Sequence, residues 1–230
     1  MYKRLLIIGG LLAITPMPAT AQATNNVENI GYHDKSTIAP TLSTEQTAIL
    51  SRVEEYLNGI KVAKARFSQQ ARSQTSSNAT KSAATGIFYL QRPDKMRFQY
   101  EKPNKDYILA DGNIVYYWDS ALKQQSNAPQ GMTLADFFLR PHISFGGDIL
   151  VMNVEEKDKV IGITIAQLNQ EDQGKMTLFL SDSPLQLHGW QVIDPAGGIT
   201  DVVLEKPELN ISLDSELFIY RDPNFGKNRR

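Results

Sequence analysis

The chain has 230 residues, a formal net charge of −1 and no cysteine. That length suits one sizeable domain, and the near-neutral charge disfavours a general nucleic-acid binder. The missing thiol excludes disulfides, cysteine-ligated metals and a lipid anchor on an N-terminal cysteine.

MYKR, then LLIIGGLLAI, then the small-residue run PATAQA reads as a secretory signal peptide over residues 1–21. Ala19-Thr20-Ala21 offers the cleavage site, with Ala21-Gln22-Ala23 as the alternative, and the apolar core is too short to span a bilayer. Export without disulfide or lipid suits a bacterial periplasm. Residues 22–42 are mostly Asn, Thr, Ser, Gly and Ala, too poor in large apolar side chains to offset their ordering entropy. They are expected to form a flexible leader to one domain over 43–230.

Ser43-Thr44-Glu45-Gln46 fits a capping box, and Ile49, Val53, Tyr56, Leu57 and Ile60 follow at helical spacing. The pattern predicts an amphipathic helix. Val62 to Ala71 alternates as a strand, with Ala63, Ala65 and Phe67 on one face, and the Ser/Thr/Ala-rich stretch from Ser73 to Thr85 reads as a long loop. Gly86 to Pro103 packs two strands and a proline turn into a hairpin: Ile87 to Leu90 is apolar on both faces, Arg92 to Lys95 turns, and Met96, Phe98 and Tyr100 alternate with Arg97, Gln99 and Glu101. Asp111-Gly112 makes a second hairpin between Tyr107–Ala110 and Ile114–Trp118, whose strand is expected to continue through Leu122 to Gln125. Thr133 can cap a short helix over Leu134 to Leu139. Strands are then expected at Asp148–Val154, Val160–Ala166, Lys175–Leu180, Leu185–Ile193, Ile199–Leu204 and Leu217–Tyr220. Short connections imply antiparallel pairing, hence a mainly β protein with helices, built as one strongly curved sheet whose concave face the helices cover.

Chemistry is sparse. His33, His142 and His188 are scattered without metal-ligand spacing, no serine lies in a nucleophile elbow, and no glycine-rich phosphate loop is present. Asp94, Asp111 and Asp194 sit in turns, where carboxylates cap amides. No catalytic residue, metal or cofactor is expected. The apolar interior of the sheet is the chain's main asset, which points to a binding protein.

The order of motifs resembles the periplasmic outer-membrane lipoprotein carriers of the LolA type. The resemblance runs through Phe67-Ser68-Gln69, Gly86 to Pro93, Ile108 to Gly112, Asp182 to Leu185, Trp190 with Asp194 and Gly197, and Phe218 to Pro223. It implies an incomplete antiparallel barrel with a helical lid over an apolar cavity that shields lipoprotein acyl chains. It also implies an ATP-driven inner-membrane transporter as donor, an acceptor at the outer membrane, and a monomer. The family's arginine that ties sheet to lid falls on Arg92. Phe67, Phe88, Leu90, Met96, Phe98, Tyr100 and Trp118 are the candidates for cavity or rim. Two other readings stand beside this one: a related periplasmic lipid or lipoprotein sensor, and an exported lipid or glycan hydrolase with two facing carboxylates about 5 to 9 Å apart.

Overall fold

A computed structural model describes residues 41–73, 82–131 and 134–223. The expected signal peptide and nearly all of the expected leader lie outside these residues. Helix α1 (Thr44–Gly59) starts as its sequence dictates: Ser43 Oγ accepts the Gln46 amide and Gln46 Oε1 accepts the Ser43 amide, so two otherwise unpaired donors are satisfied reciprocally. Ile49, Leu50, Val53 and Leu57 form its buried stripe. Leu42, just ahead of the cap, also packs against the core.

Eleven antiparallel strands follow: β1 (Val62–Ser73), β2 (Ser82–Gln91), β3 (Lys95–Lys102), β4 (Tyr107–Asp111), β5 (Ile114–Asp119), β6 (Gln124–Pro129), β7 (Ile149–Lys157), β8 (Val160–Gln167), β9 (Lys175–Asp182), β10 (Leu185–Ile193) and β11 (Gly198–Leu209). Their order in the single sheet is β6-β5-β4-β3-β2-β1-β11-β10-β9-β8-β7. The chain meanders outward from β1 to one edge, crosses to the other edge through residues 130–148, and meanders back until β11 pairs with β1. The edge strands β6 and β7 do not pair with each other, so the barrel is open. The fold is thus mainly β, an incomplete and curved antiparallel barrel with a helical lid.

Curvature has identifiable sources. Register shifts interrupt β1, β2, β7 and β10, and such bulges sharpen twist and bend. At Gly189, next to the β10 shift, φ is +155° and a Cβ would collide with the Val202 carbonyl of β11. Glycine is required there because β10 and β11 approach too closely for a side chain. Gly86 has the same role on β2, where a Cβ would strike the Gln99 carbonyl and the Phe67 ring.

Three expected elements differ. Residues Ser82 to Thr85 belong to β2 and pair with β1, because alanines there fit the ladder without needing a loop. The strand after Trp118 does not run on: Asp119 Oδ1 accepts the amides of Ala121 and Leu122, Lys123 adopts φ 54°, and β6 returns as a separate edge strand. Leu217 to Tyr220 is not a strand either. Asp214 caps a 3-10 helix (Ser215–Phe218), and the segment lies across the outside of β3 to β5 where no strand edge is free. Arg97 Nη1 donates to the Leu217 carbonyl at 3.0 Å and the Tyr220 ring stacks on Tyr116 at 4.0 Å, which holds it down.

Gly189→Ala is expected to lose more than about 2 kcal/mol of stability through backbone strain and collision. Gly59→Ala, where nothing lies within 4 Å of an added Cβ, is expected to be neutral or slightly stabilising. Denaturant melts of the two variants compare them directly.

Candidate functional site

Pairing decides which side chains face inward. On β2 the alternation places Phe88 and Leu90 inside and leaves Ile87 and Tyr89 half-exposed on the outer face. Met96, Phe98 and Tyr100 of β3, Ile108 and Ala110 of β4, Ala63, Ala65 and Phe67 of β1 and Trp190 of β10 join the same cluster. Its centre is aromatic: the Phe88 ring lies 4.8 Å from Phe98 and 5.9 Å from Trp190, while Phe67 meets both Phe98 and Tyr100 edge-on at 5.1 Å.

Two pieces of chain close this interior. One is α1. The other is the crossing segment, which carries a 3-10 helix (Leu134–Leu139) and buries Phe137, Phe138, Leu139 and Ile143. The pieces are bonded to each other, since the Asn58 amide donates to the Ile143 carbonyl and accepts the Ile143 amide, both at 2.8 Å. These bonds join them into one cover.

The lid is held at several points: Gln46 Nε2 donates to the Val154 carbonyl, Tyr56 Oη accepts the Leu187 amide, Arg52 pairs with Asp182, and the β2–β3 turn adds two more ties. Arg92 is 9% exposed, and its Nη2 donates to the carbonyls of Leu57 and Ile60 at the end of α1. Two residues on, the Asp94 amide donates to the Leu139 carbonyl at 2.9 Å, at the end of the 3-10 helix. The β2–β3 turn thus grips both parts of the lid. Arg92 Nε and Nη1 are buried without a partner among the described residues. Burial lowers the Arg92 pKa, so the closed site bears the cost of a partly satisfied buried cation.

Beneath that guanidinium the cavity shrinks to about 30 Å³, bounded by Leu57 and Ile60 of α1, Ala63, Phe88, Phe138 and Trp190. That is room for about one water molecule. The lid side chains fill what the sheet encloses because a dry void would forfeit dispersion contacts on every wall. Two larger hollows lie elsewhere. One of about 400 Å³ is lined by Asp94, Asp136 and Asp148. There Arg140 makes a two-pronged pair with Asp148, and that hydrogen bonding holds its carboxyl below the usual range. The other, about 300 Å³, lies on the outer face between Arg97, Tyr107 and the C-terminal segment.

Phe67, Phe88, Leu90, Met96, Phe98 and Tyr100 all lie in the interior cluster, with Arg92 at its lid. Met96 is 2% exposed and sits within the closed core rather than on an open rim. Trp118 requires correction. It is buried, yet it shares the outer face of β5 with Tyr116, while Val115 and Tyr117 point in. Alternation alone could not choose, because Val115 to Trp118 is apolar or aromatic on both faces. Sequence reasoning missed Trp190 and Phe138 as walls, although their aromatic character was a usable signal. It also missed Asn58, for which no local signal existed. His142 and His188 are exposed, and among the described residues no group of side chains could hold a metal ion.

The architecture defines a class: an open antiparallel barrel whose apolar interior is shut by a helical lid bonded to its rim. The family model described as outer membrane lipoprotein carrier protein LolA matches residues 58–221, and the chain belongs to that family. An outer-membrane lipoprotein carrier protein of Methylococcus capsulatus is 25% identical over 186 residues, covering 79% of this chain and 87% of that one. One from Legionella pneumophila is 29% identical over 179 residues, covering 74% and 84%. Among solved structures, a LolA superfamily protein from Nitrosomonas europaea aligns with a TM-score of 0.44 at 11% identity, covering 74% of this chain and 97% of that one.

Met96→Glu is expected to cost more than about 4 kcal/mol, because it buries a carboxyl among apolar walls. Met152→Glu, at a residue 36% exposed, serves as control and is expected to change the melting temperature little.

Proposed function

We propose that this protein is a periplasmic carrier which takes the acyl chains of a lipoprotein into the barrel interior and releases them towards the outer membrane. The observation that carries the reading is the interior itself: a continuous apolar and aromatic surface, closed only by a lid tied to the barrel through Arg92. Membership of the carrier family supports it.

The magnitudes are consistent with a lid that opens for cargo. Exposing Ile49, Leu50, Val53 and Leu57 of α1 with Phe137, Phe138, Leu139 and Ile143 of the crossing segment would cost about 12 to 24 kcal/mol at ~1.5 to 3 kcal/mol for each side chain. Breaking the Arg92 bonds adds about 1.5 to 3 kcal/mol. An acyl chain of about 15 methylenes leaving water returns ~12 kcal/mol. Two chains of one cargo roughly offset opening, and any further chain supplies net affinity. Without cargo the lid closes and the interior reverts to a core.

In this reading residues 1–21 direct export and are removed, residues 22–42 are the leader ahead of the domain at 43–230, and the mature monomer works in the periplasm. An ATP-driven transporter of the inner membrane loads it, since the sequence has no nucleotide loop with which to extract a lipid itself. An acceptor at the outer membrane unloads it. Arg92 is the latch, and Phe67, Phe88, Leu90, Met96, Phe98 and Tyr100 are cavity walls. Among the described residues no helix is long and apolar enough to cross a membrane. A hydrolase would use a protonated carboxyl beside an ionised one; Asp148, held ionised by Arg140, is unsuited to be the acid.

The purified protein is expected to bind a fluorescent apolar probe that an acylated peptide displaces and its unacylated twin does not. Equal competition by the two peptides would overturn the carrier reading. Arg92→Leu is expected to keep the fold, raise the open fraction, tighten apparent lipid affinity in proportion and slow transfer to acceptor vesicles. Arg97→Leu, which lies on the outer face of the neighbouring strand, is expected to do neither; an equal effect from both would remove the latch.

A further inference from the structure

Below Arg92 at the lid, the inner wall is apolar until the far end of the barrel. Tyr100, 5% exposed, donates its hydroxyl to Gln69 Oε1 at 2.8 Å, and Gln69 is itself only 7% exposed. Both sit at the end of the barrel away from Arg92: Gln69 is seven positions along β1 from Val62, and Tyr100 four positions along β3 from Met96. At ~3.3 Å per residue that puts them about 13 to 23 Å below the lid end of their strands.

The polar character continues around this end. Asp106 is buried, and its Oδ1 accepts both the amide and the hydroxyl of Ser120 at 2.8 and 2.7 Å. The Tyr100 amide donates to the Asp106 carbonyl at 3.0 Å. Tyr117 is half-buried, and desolvation first, then the Asp106 carboxylate, pushes the pKa of Tyr117 and Tyr100 upward, so both phenols stay neutral donors. Thr200 of β11 is buried on the same inward face.

We infer that the Gln69–Tyr100 pair, backed by Asp106, is the floor of the cargo site and sets the length of acyl chain the carrier holds. The inference rests on the carrier reading above. A methyl end advancing from the lid slides along Leu90, Phe98 and Phe67 at no polar cost. At Tyr100 it must part the hydroxyl from Gln69, which leaves two buried polar groups unpaired with no water to replace the lost bond. A Phe–Leu pair in the same places would pack without that barrier. The hydrogen bond therefore acts as a depth stop, and carbons beyond it remain outside the barrel.

The test is a displacement series with N-acylated tripeptides carrying saturated chains from about 8 to about 20 carbons, in which each added methylene is worth about fourfold in affinity while it is buried. For the native chain the rise is expected to break between about 10 and 18 carbons, the extended lengths that fit the depth. Gln69→Leu with Tyr100→Phe is expected to move the break at least about two carbons longer, with the fourfold gain continuing up to it. Should the double variant fail to fold, Tyr100→Phe alone, which keeps the ring in place, is read in the same way. A steady rise without a break, or the same break in the variant, overturns the floor and leaves the carrier reading intact. Absence of competition at every length in the native protein overturns the carrier reading, and the floor with it.

Discussion

Arg92 Nη2 reaches the carbonyls of Leu57 and Ile60 from the turn beside the start of β1, and the closure of the interior depends on that contact together with the other ties of α1 to the sheet. A helix end leaves its last carbonyls unpaired, so α1 needs a donor there. The donor comes from the turn that joins β2 to β3, where Pro93 restricts the preceding residue to an extended backbone and so aims its side chain. Asp94 in the same turn bonds the end of the 3-10 helix, and Asn58 bonds the two lid pieces together. One turn thereby bonds both pieces of the lid that fills the apolar sheet.

That arrangement trades stability for exchange. A lid sealed only by hydrophobic side chains would need the full cost of exposing them before anything could enter. Here part of the seal is a buried guanidinium with two nitrogens unpaired among the described residues, so its bonds hold the lid less firmly than a fully paired group would. Hydration of those nitrogens on opening offsets part of the cost of breaking the bonds. The barrel beneath is held by ladders that need no lid: β1 joins both meanders at its centre, and the outer face is tied by the C-terminal segment through Arg97 and Tyr116.

Much of this was legible in the sequence because its cues are local. The capping box fixed the start of α1, alternation in Met96, Phe98 and Tyr100 fixed an inward face, and Pro93 beside Arg92 marked a rigid donor. What stayed hidden depended on distant partners. Val115 to Trp118 is apolar or aromatic at every position, so only the ladder with β4 and the covering C-terminal segment reveal that Trp118 looks outward. Leu217 to Tyr220 has strand composition but lies over β3 and β4, strands already paired on both sides. No local cue names the partners of Gln69 and Asn58, since Tyr100 and the Ile143 backbone reach them across 31 and 85 residues of chain.

The chain has no native cysteine, so a pair of introduced cysteines can be spin-labelled without background. With one label at Glu55, exposed on α1, and one at Val203, exposed on β11, the distance between them can be measured by pulsed electron resonance with and without an acylated peptide. If the interior serves as a cargo cavity opened by its lid, the acylated peptide shifts the distribution to longer distances and the unacylated peptide leaves it unchanged. Saturating binding of the acylated peptide with no change in that distance would contradict the account.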